Sequence, residues 1–137
     1  MVCVIRQARQ KDFKSLIEIW QKAGFYYPSW DRRENLLNKI NLQPALFLVA
    51  EVNGVVIGGV IGTYDGWAAY VNHLAIDPRY RHQKWDKLLL VEIERRFRKL
   101  GVETVFVFTF PKHSENKRYQ EAGYKKWGTS LGWEKRL

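Results

Sequence analysis

The sequence predicts an α/β domain with a mixed, mostly antiparallel sheet of six or seven strands flanked by about four helices. Its hydrophobic patterns follow the order strand, two helices, three strands, helix, strand, helix and two final strands. The dipeptides Asn53-Gly54 and Asp65-Gly66 join the three central strands, and they indicate antiparallel hairpins because both accept positive φ. A length of 137 residues suits one domain over residues 1–137.

The first third of the chain is predicted to contribute one strand and two helices. Residues 2–6 are expected to form a short strand, and residues 12–23 an amphipathic helix that ends at Gly24. The apolar face of that helix recurs at helical spacing: Leu16, Ile19, Trp20 and Ala23. After an aromatic loop, residues 32–40 are predicted to form a second, shorter helix.

The rest of the chain is predicted to supply the remaining strands and two more helices. Three strands are expected within residues 45–76, followed by a long helix over 87–100 and a buried-type strand over 102–110. A short helix over 115–122 and a final pair of strands within 124–137 complete the domain. The inner stripe of the long helix is predicted to be Leu89, Ile93, Phe97 and Leu100.

The composition is that of a folded, basic protein. Hydrophobic residues make up 46% and aromatic residues 15%, which excludes a disordered chain. The net charge of +9 favours nucleic acid, an acidic membrane or a polyphosphate ligand, although a generally solvated basic surface explains it equally well. Four cations in the last turns of the long helix complement its dipole: Arg95, Arg96, Arg98 and Lys99. No RNA-binding motif is recognisable, so nucleic acid is not an expected partner.

Cysteine usage and hydropathy predict a cytoplasmic protein. The single cysteine, Cys3, excludes an internal disulfide and a thiolate zinc site, and is compatible with a reducing compartment. No apolar run approaches the length of a membrane span, and the N-terminus lacks the pattern of a signal peptide. We therefore expect no membrane partner, and a homodimer is an open alternative for the oligomeric state.

The segment YRHQKWDKLL, residues 80–89, lies where an anion-binding site is expected. It joins the last hairpin strand to the long helix, whose N-terminus offers unpaired N–H groups and a partial positive charge. Loops that bind phosphate in this way usually contain glycines, which let the backbone approach closely. This segment contains none, so it is either a phosphate site without its glycines or a plain connector.

Four segments together resemble the GNAT superfamily of acetyl-CoA-dependent N-acetyltransferases. They are LFLVAEVNGVVIGGVIGTYDG, YVNHLAIDPRYR, LLLVEIERRFRKLGVETVFVF and RYQEAGY, and they occur in the family's order. The resemblance runs from Ile5 to about Trp127 and is closest to small single-domain members of the YpeA-like type. It implies the GNAT fold, acetyl-CoA as co-substrate, no metal, and an unknown amine acceptor, either a small molecule or a peptide or protein amine.

The resemblance also implies how acetyl-CoA is bound. In the family, the strand that matches residues 70–76 splays away from the one that matches 104–110, and the pantetheine arm pairs with backbone in the gap. The matching positions here are Leu74, Ala75 and Ile76. The pyrophosphate is received by the loop that matches Arg81, His82, Gln83, Lys84, Trp85, Asp86 and Lys87. An amide-rich ligand can satisfy the unpaired groups of a splayed sheet as an added strand would.

A late-helix tyrosine commonly protonates the departing thiolate in this family, and Tyr119 in KRYQEAGY matches it. A phenol, with an ordinary pKa of about 10, suits that role. The alternative is an aromatic side chain that simply packs on the sheet. The family often has Asn two turns before this tyrosine and an aromatic residue directly before it. Those positions are Lys112 and Arg118 here, and Asn116 is a nearer substitute for the Asn.

The phosphate loop departs from the family pattern R/Q-x-x-G-x-G/A. Arg81 matches, but Lys84 and Asp86 stand where Gly and Gly or Ala are expected. A Cβ at Lys84 either obstructs the close approach of a phosphate or strains a turn that needs positive φ. Asp86 adds a carboxylate near the phosphates, and Lys84 and Lys87 oppose its charge. We expect an affinity for acetyl-CoA reduced by about 10- to 1,000-fold. Alternatively, Asp86 caps the helix.

The general base has three candidates: His73, Glu51 and Asp65. An imidazole titrates in the useful range, but a histidine on a strand is more often a packed, satisfied residue. His73 alternates with Asn72, so at most one of the two is expected to face the site. Four aromatic residues either line an acceptor pocket or pack the loops: Tyr26, Tyr27, Trp30 and Trp67.

Two functions remain open from the sequence. The first is an enzyme that transfers acetyl from acetyl-CoA to a primary amine by direct attack, since no Cys or Ser nucleophile motif supports a covalent intermediate. The second is a GNAT-fold protein with a degenerate CoA loop that acts as a non-catalytic binding or regulatory module. Tyr119 and the strand pattern favour the enzyme, and the missing glycines favour the module.

Overall fold

The computed structural model describes residues 2–109, 115–129 and 131–137, and its strands form one antiparallel sheet in the order β1-β2-β3-β4. The strands are β1 (Cys3–Gln7), β2 (Phe47–Val52), β3 (Val55–Tyr64) and β4 (Ala69–Ile76). Each pairs with its neighbour in sequence, and β1 is joined to β2 through two helices. β4 is therefore the last strand of this ladder, and its outer edge borders the C-terminal part of the chain.

The two predicted hairpin turns differ from each other. Asn53 and Gly54 both take positive φ, at +50° and +80°, which confirms the first turn. The second connection is wider: Gly66 has φ +93°, but Asp65 does not share the left-handed region. Asp65 instead accepts the backbone N–H groups of Trp67 and Ala68 at 2.9 and 3.0 Å. These bonds, with the one from Ala68 first, hold the pKa of the Asp65 carboxyl below its ordinary value.

Four α-helices of the described residues flank the sheet, as predicted, and each begins and ends within two residues of its expected bounds. They are α1 (Phe13–Ala23), α2 (Arg33–Leu42), α3 (Trp85–Lys99) and α4 (Asn116–Glu121). Gly24 ends α1 in the left-handed region at φ +80°, where glycine carries no Cβ penalty. None of the described helices combines the length and the apolarity that a membrane span requires.

The helices cover the sheet in two layers. α1 and α2 bury their apolar stripes on one face, in a cluster that includes Leu16, Trp20, Leu36, Phe47, Val49 and Ala75. α3 and α4 cover the other face, in a cluster that includes Leu48, Val60, Leu74, Leu89, Leu90, Ile93, Phe97 and Tyr119. Each large apolar side chain buried in this way contributes about 1.5–3 kcal/mol.

The inner stripe of α3 was predicted correctly except at its end. Leu89, Ile93 and Phe97 are buried, but Leu100 is 50% exposed because the helix ends at Lys99 and the chain turns away. Leu90 is buried instead. On the opposite side of α3, Arg95 and Arg96 both pair with Glu92, so part of the basic run forms solvated ion pairs on the helix.

The prediction of six or seven strands was wrong for the described residues, which form four. Residues 102–109 make only an isolated parallel bridge, in which Val71 N donates to Phe106 O at 2.9 Å and Phe106 N to Ala69 O at 3.0 Å. Of residues 124–137, the described part forms no ladder. Trp127 and Trp133 are 73% and 89% exposed there, so this apolar pattern has no sheet face to bury. Phe110, the end of the predicted fifth strand, lies outside the described residues.

Candidate functional site

A bulge interrupts β4 at its centre. Asn72 is opposite Ile61 and Ala75 is opposite Gly59, so β4 has one more residue than β3 between these pairs. His73 takes φ +51°, a conformation that costs about 1–3 kcal/mol for a residue other than glycine. The bulge breaks the strand alternation: Ile61, the partner of Asn72, and the ring of His73 both pack with the α1 cluster. The regular alternation from which at most one of Asn72 and His73 was expected to face the site is therefore broken at this point.

The bulge places His73 against a buried carboxylate. His73 Nε2 lies 2.8 Å from Oδ2 of Asp31, which is only 4% exposed. The same oxygen accepts the backbone N–H of Tyr27 at 2.8 Å. Trp20 meets the imidazole edge-on with ring centroids 4.7 Å apart, and Phe25 stacks on it at 6.3 Å. His73 is thus held by a charged partner and two rings.

Asp31 was not identified from the sequence, where it ends the aromatic loop FYYPSWD. The two residues are 42 positions apart, and no spacing rule connects a loop aspartate to a strand histidine. A weak signal exists in the loop itself, since an aspartate that closes a four-residue turn often accepts a backbone N–H. That signal predicts a turn and gives no indication of the histidine.

The other two base candidates are engaged elsewhere. Glu51 accepts from Arg6 at 3.1 Å, and Arg6 also holds the buried Asp12 at 2.8 Å, so Glu51 belongs to a network that joins β1, β2 and the start of α1. Asp65 holds the β3–β4 turn. Of the three candidates, only His73 lies beside Leu74, the position that matches the family's pantetheine contact.

The phosphate loop has the backbone that a glycine would favour. Pro78–Gln83 form a 3-10 helix that Asp77 begins by accepting Arg79 N at 3.0 Å, and α3 follows at Trp85. Between them Lys84 takes φ +61° and ψ +21°. The predicted need for positive φ at position 84 is confirmed, and the Cβ there costs about 1–2 kcal/mol.

The remaining residues of this loop are turned mostly toward solvent. Arg81 and Lys87 are exposed, and Gln83 accepts the indole N–H of Trp85 at 3.2 Å. Trp85 is half-buried against the α3 face of the core. The side chain of His82 lies outside the described part of the structure, as does Lys112, the position that matches the family's Asn.

Asp86 occupies the N-terminus of α3 with its own carboxylate. Its Oδ1 accepts the backbone N–H of Lys87 at 2.8 Å, and its Oδ2 lies 3.2 Å from Nε of Arg118. A backbone N–H in the first turn of a helix is the kind of donor that a phosphate oxygen uses. The Asp86 carboxylate therefore already occupies one backbone donor of the first turn of α3.

Arg118 connects Asp86 to the edge of the sheet. Its Nη1 donates to the backbone carbonyl of Leu74 at 2.7 Å and lies 3.7 Å from Glu115. The two departures from the family pattern, Asp86 for Gly or Ala and Arg118 for an aromatic residue, are therefore partners of each other. A cavity of about 240 Å³ lies between α3 and α4 at this point. It is lined by Lys84, Asp86, Lys87, Leu90, Arg118, Glu121 and Ala122.

Tyr119 follows Arg118 on α4 and points into the core. It is 7% exposed, and Tyr124 meets its ring edge-on with centroids 5.5 Å apart. Burial raises the pKa of Tyr119 to about 12, while the nearby Arg118 opposes the shift. The phenol therefore keeps its proton at neutral pH and can act as a donor. Asn116 begins the same helix, two residues before Arg118.

The aromatic residues proposed for an acceptor pocket separate into two places. Tyr27 and Trp30 stack with centroids 5.1 Å apart, directly before Asp31, and Trp30 is largely exposed. Trp67 is also exposed but lies in the β3–β4 turn, six residues from His73. The strand from Ala69 to His73 spans about 13 Å, so Trp67 lies away from the imidazole along β4. Only Tyr27 and Trp30, with Tyr26 beside them in the chain, are associated with the bulge.

Comparison with known proteins identifies the family. The model described as the acetyltransferase (GNAT) family matches residues 5–124, so the chain belongs to this family. A protein named acetyltransferase from Yersinia pestis is 36% identical over 92 residues, and a second from Pectobacterium atrosepticum matches equally. The matched region covers 67% of this chain and only 65% of the length of each relative.

Solved structures share the fold over nearly the whole chain. The PaiA N-acetyltransferase from Thermoplasma acidophilum, crystallised in complex with coenzyme A, superposes with a TM-score of 0.80 at 27% identity. The alignment covers 96% of this chain and 94% of that protein. Ard1 from Thermoplasma volcanium reaches a TM-score of 0.77 at 22% identity over 90% of this chain and 82% of its own. At that identity the second likeness concerns the fold alone.

Proposed function

We propose that this protein transfers an acetyl group from acetyl-CoA to a primary amine by direct attack of the amine. The observation that carries the proposal is the edge of β4, which the described residues leave without a ladder partner. Beyond the bridge between Tyr70 and Phe106, the Leu74 carbonyl accepts a hydrogen bond from a side chain of α4. An edge of this kind suits the amides of a pantetheine arm. Family membership and the coenzyme A bound by the Thermoplasma relative support the same co-substrate.

The residues proposed to bind acetyl-CoA lie on the edge of β4 and in the loop that follows it. Leu74, Ala75 and Ile76 would offer the strand edge, and the loop from Arg81 to Lys87 would receive the pyrophosphate with Asn116 nearby. Lys84, Lys87 and Arg118 give the 240 Å³ cavity three cations against the carboxylates of Asp86 and Glu121. The three cations therefore suit a polyphosphate, and the negative charge of Asp86 is the main group that opposes its binding.

Bound acetyl-CoA would supply a thioester carbonyl that an uncharged amine can attack. His73, paired with Asp31, is the group proposed to accept the proton of the amine. Tyr119 is the group proposed to stabilise the departing sulfur. With a pKa of about 12 for Tyr119 against about 8.5 for a thiol, complete proton transfer is uphill by about 5 kcal/mol. Tyr119 would therefore act first as a hydrogen-bond donor and release its proton late.

Binding and turnover of acetyl-CoA test the proposal in order. We expect calorimetry to show saturable binding of acetyl-CoA, weaker than is usual for the family because of Lys84 and Asp86. Release of the CoA thiol should then depend on an added primary amine, with propylamine as the first probe. Saturable binding without amine-dependent thiol release across a panel of primary amines would contradict the enzyme.

A non-catalytic module is the second candidate, and two contacts favour it. Arg118 already occupies the Leu74 carbonyl, and Asp86 already occupies a backbone N–H of α3. The chain's own groups thus fill positions where acetyl-CoA would bind. Absence of any calorimetric signal with acetyl-CoA up to millimolar concentration would support this candidate over the enzyme.

A further inference from the structure

We propose that Asp31 is a positioning residue for acetyl transfer: it fixes the tautomer and orientation of His73, so that Nδ1 accepts the proton of the incoming amine. The inference rests on the proposed function, since it assigns a partner to the base of that reaction. Asp31 lies on the loop between α1 and α2 and reaches His73 across the face of the sheet.

The geometry determines which imidazole nitrogen is basic. Asp31 Oδ2 lies 2.8 Å from Nε2 of His73, and a carboxylate can only accept a hydrogen bond. Nε2 must therefore carry a hydrogen, and in the neutral ring the lone pair lies on Nδ1. The same carboxylate stabilises the imidazolium that forms when Nδ1 takes a proton, which is the role of an aspartate behind a general-base histidine.

The carboxylate is itself held in place. The backbone N–H of Tyr27 donates to the oxygen that binds His73, and Tyr27 O accepts N–H bonds from Trp30 and Asp31 at 3.0 and 2.8 Å. Asp31 therefore closes a compact turn and cannot easily rotate away from the imidazole. On the other side, Trp20 and Phe25 restrict the ring plane.

The backbone at His73 is strained at the bulge of β4. His73 takes φ +51° there, and the bulge places its imidazole on Asp31 and next to Leu74 in the chain. Strain of about 1–3 kcal/mol persists where the surrounding structure enforces it, and such positions cluster at functional sites. The same turn presents the stacked rings of Tyr27 and Trp30, so the loop that orients the base also offers a surface to the acceptor.

The test compares an amine that needs a base with one that does not. Propylamine is mostly protonated at neutral pH, whereas hydroxylamine is mostly uncharged. Asp31→Asn retains an oxygen for Nε2–H and for Tyr27 N–H but removes the charge. We expect it to lower kcat with propylamine by about 10- to 100-fold and to leave the rate with hydroxylamine, corrected for the uncatalysed reaction, nearly unchanged.

Asp12→Asn is the matched control. Asp12 is equally buried and also accepts a backbone N–H and a side-chain N–H, but its partners are Arg9 and Arg6. It should leave the ratio of the two rates as in wild type. A fall in both rates by the same factor in Asp31→Asn, or no fall with propylamine, overturns the inference. Wild type inactive with both amines would instead contradict the proposed function on which the inference rests.

A spectroscopic measurement on wild type does not depend on how the variant folds. Nitrogen-15 NMR of wild type should show His73 protonated at Nε2 when neutral, and Asp31→Asn should shift the ring toward a mixture of tautomers. Protonation of wild-type His73 at Nδ1 when neutral would overturn the inference whatever the kinetics show.

Discussion

Asp86 and Arg118 should affect CoA binding in opposite directions, although they are partners. Asp86→Ala removes a carboxylate from the N-terminus of α3 and releases Arg118, which can then contact a phosphate. Arg118→Leu leaves Asp86 without its partner at the same place. We therefore expect tighter CoA binding for Asp86→Ala and weaker binding for Arg118→Leu than for wild type.

The magnitude follows from the geometry of the pair. Two unit charges 3.2 Å apart attract by about 5 kcal/mol at an effective dielectric constant of about 20. The side chains are 20% and 23% exposed, so screening and desolvation reduce the net coupling to about 1–2 kcal/mol. Each single change should therefore alter the CoA dissociation constant by about 5- to 30-fold. The double variant should depart from the product of the two effects by a similar factor.

Isothermal titration of CoA into wild type, both single variants and the double variant measures this coupling. Repeating it at higher salt should shrink the gain of Asp86→Ala, because screening weakens charge interactions at an exposed site. Arg95→Leu is the control, since it removes an ion pair with Glu92 on the exposed side of α3. If Asp86→Ala leaves the affinity for CoA unchanged, Asp86 is a helix cap without influence on the phosphate site. If both single variants shift the affinity in the same direction, the opposite roles expected for Asp86 and Arg118 are refuted.

Three further predictions concern the loop, the donor and the buried carboxylate. Lys84→Gly should raise the free energy of unfolding by about 1 kcal/mol because it relieves the backbone strain at φ +61°. The control Lys87→Gly, within α3, should lower this free energy by a similar amount. Denaturant unfolding that shows no gain in stability for Lys84→Gly would refute the proposed strain at position 84. Tyr119→Phe should fold and bind CoA but lose about 100-fold or more in kcat, and unchanged turnover would remove the phenol from the mechanism. Burial raises the pKa of Asp12, but the hydrogen bonds from the Arg6 side chain and the Arg9 backbone outweigh burial and hold this pKa below its ordinary 3.8. The stability it contributes should be complete above about pH 4 and decline below it, and Asp12→Asn should flatten that part of an unfolding-versus-pH profile.

Local patterns predicted the parts of the fold that depend on neighbouring residues. The four α-helices of the described residues and the Asn53-Gly54 turn follow from periodicity, capping and turn chemistry. The positive φ at position 84 follows from the glycine that the family pattern has there. The number of strands did not follow. A strand exists only with a partner and a face to bury, and the exposed residues 131–137 have neither in the described structure.

The sequence predicted which residues belong to the candidate site, but not which of them contact each other. The sequence marked Asp86 and Arg118 as two separate departures, but only the fold brings position 118 of α4 to the start of α3. His73 was one of three base candidates, and its partner Asp31 was unmarked because contacts between distant segments leave no local period. Pairings of this kind depend on tertiary geometry, which single-sequence patterns do not encode.

The bulge in β4 also fixes the length of that strand. Before the bulge, Ala69 and Val71 face α3, and after it Leu74 and Ile76 face α3. The residues of β4 that point toward α3 therefore change from odd to even numbers at the bulge. Deleting one residue from 72–74 would turn the end of the strand over, because a one-residue slip exchanges the two faces. Ala75, which lies on the α1 side opposite Gly59, would exchange places with a leucine or isoleucine. A Cβ on Gly59 would already come within 2.9 Å of Leu16, so that side has no room for the larger residue. A one-residue insertion or deletion at the centre of β4 would therefore bury the wrong residues on both faces of the sheet.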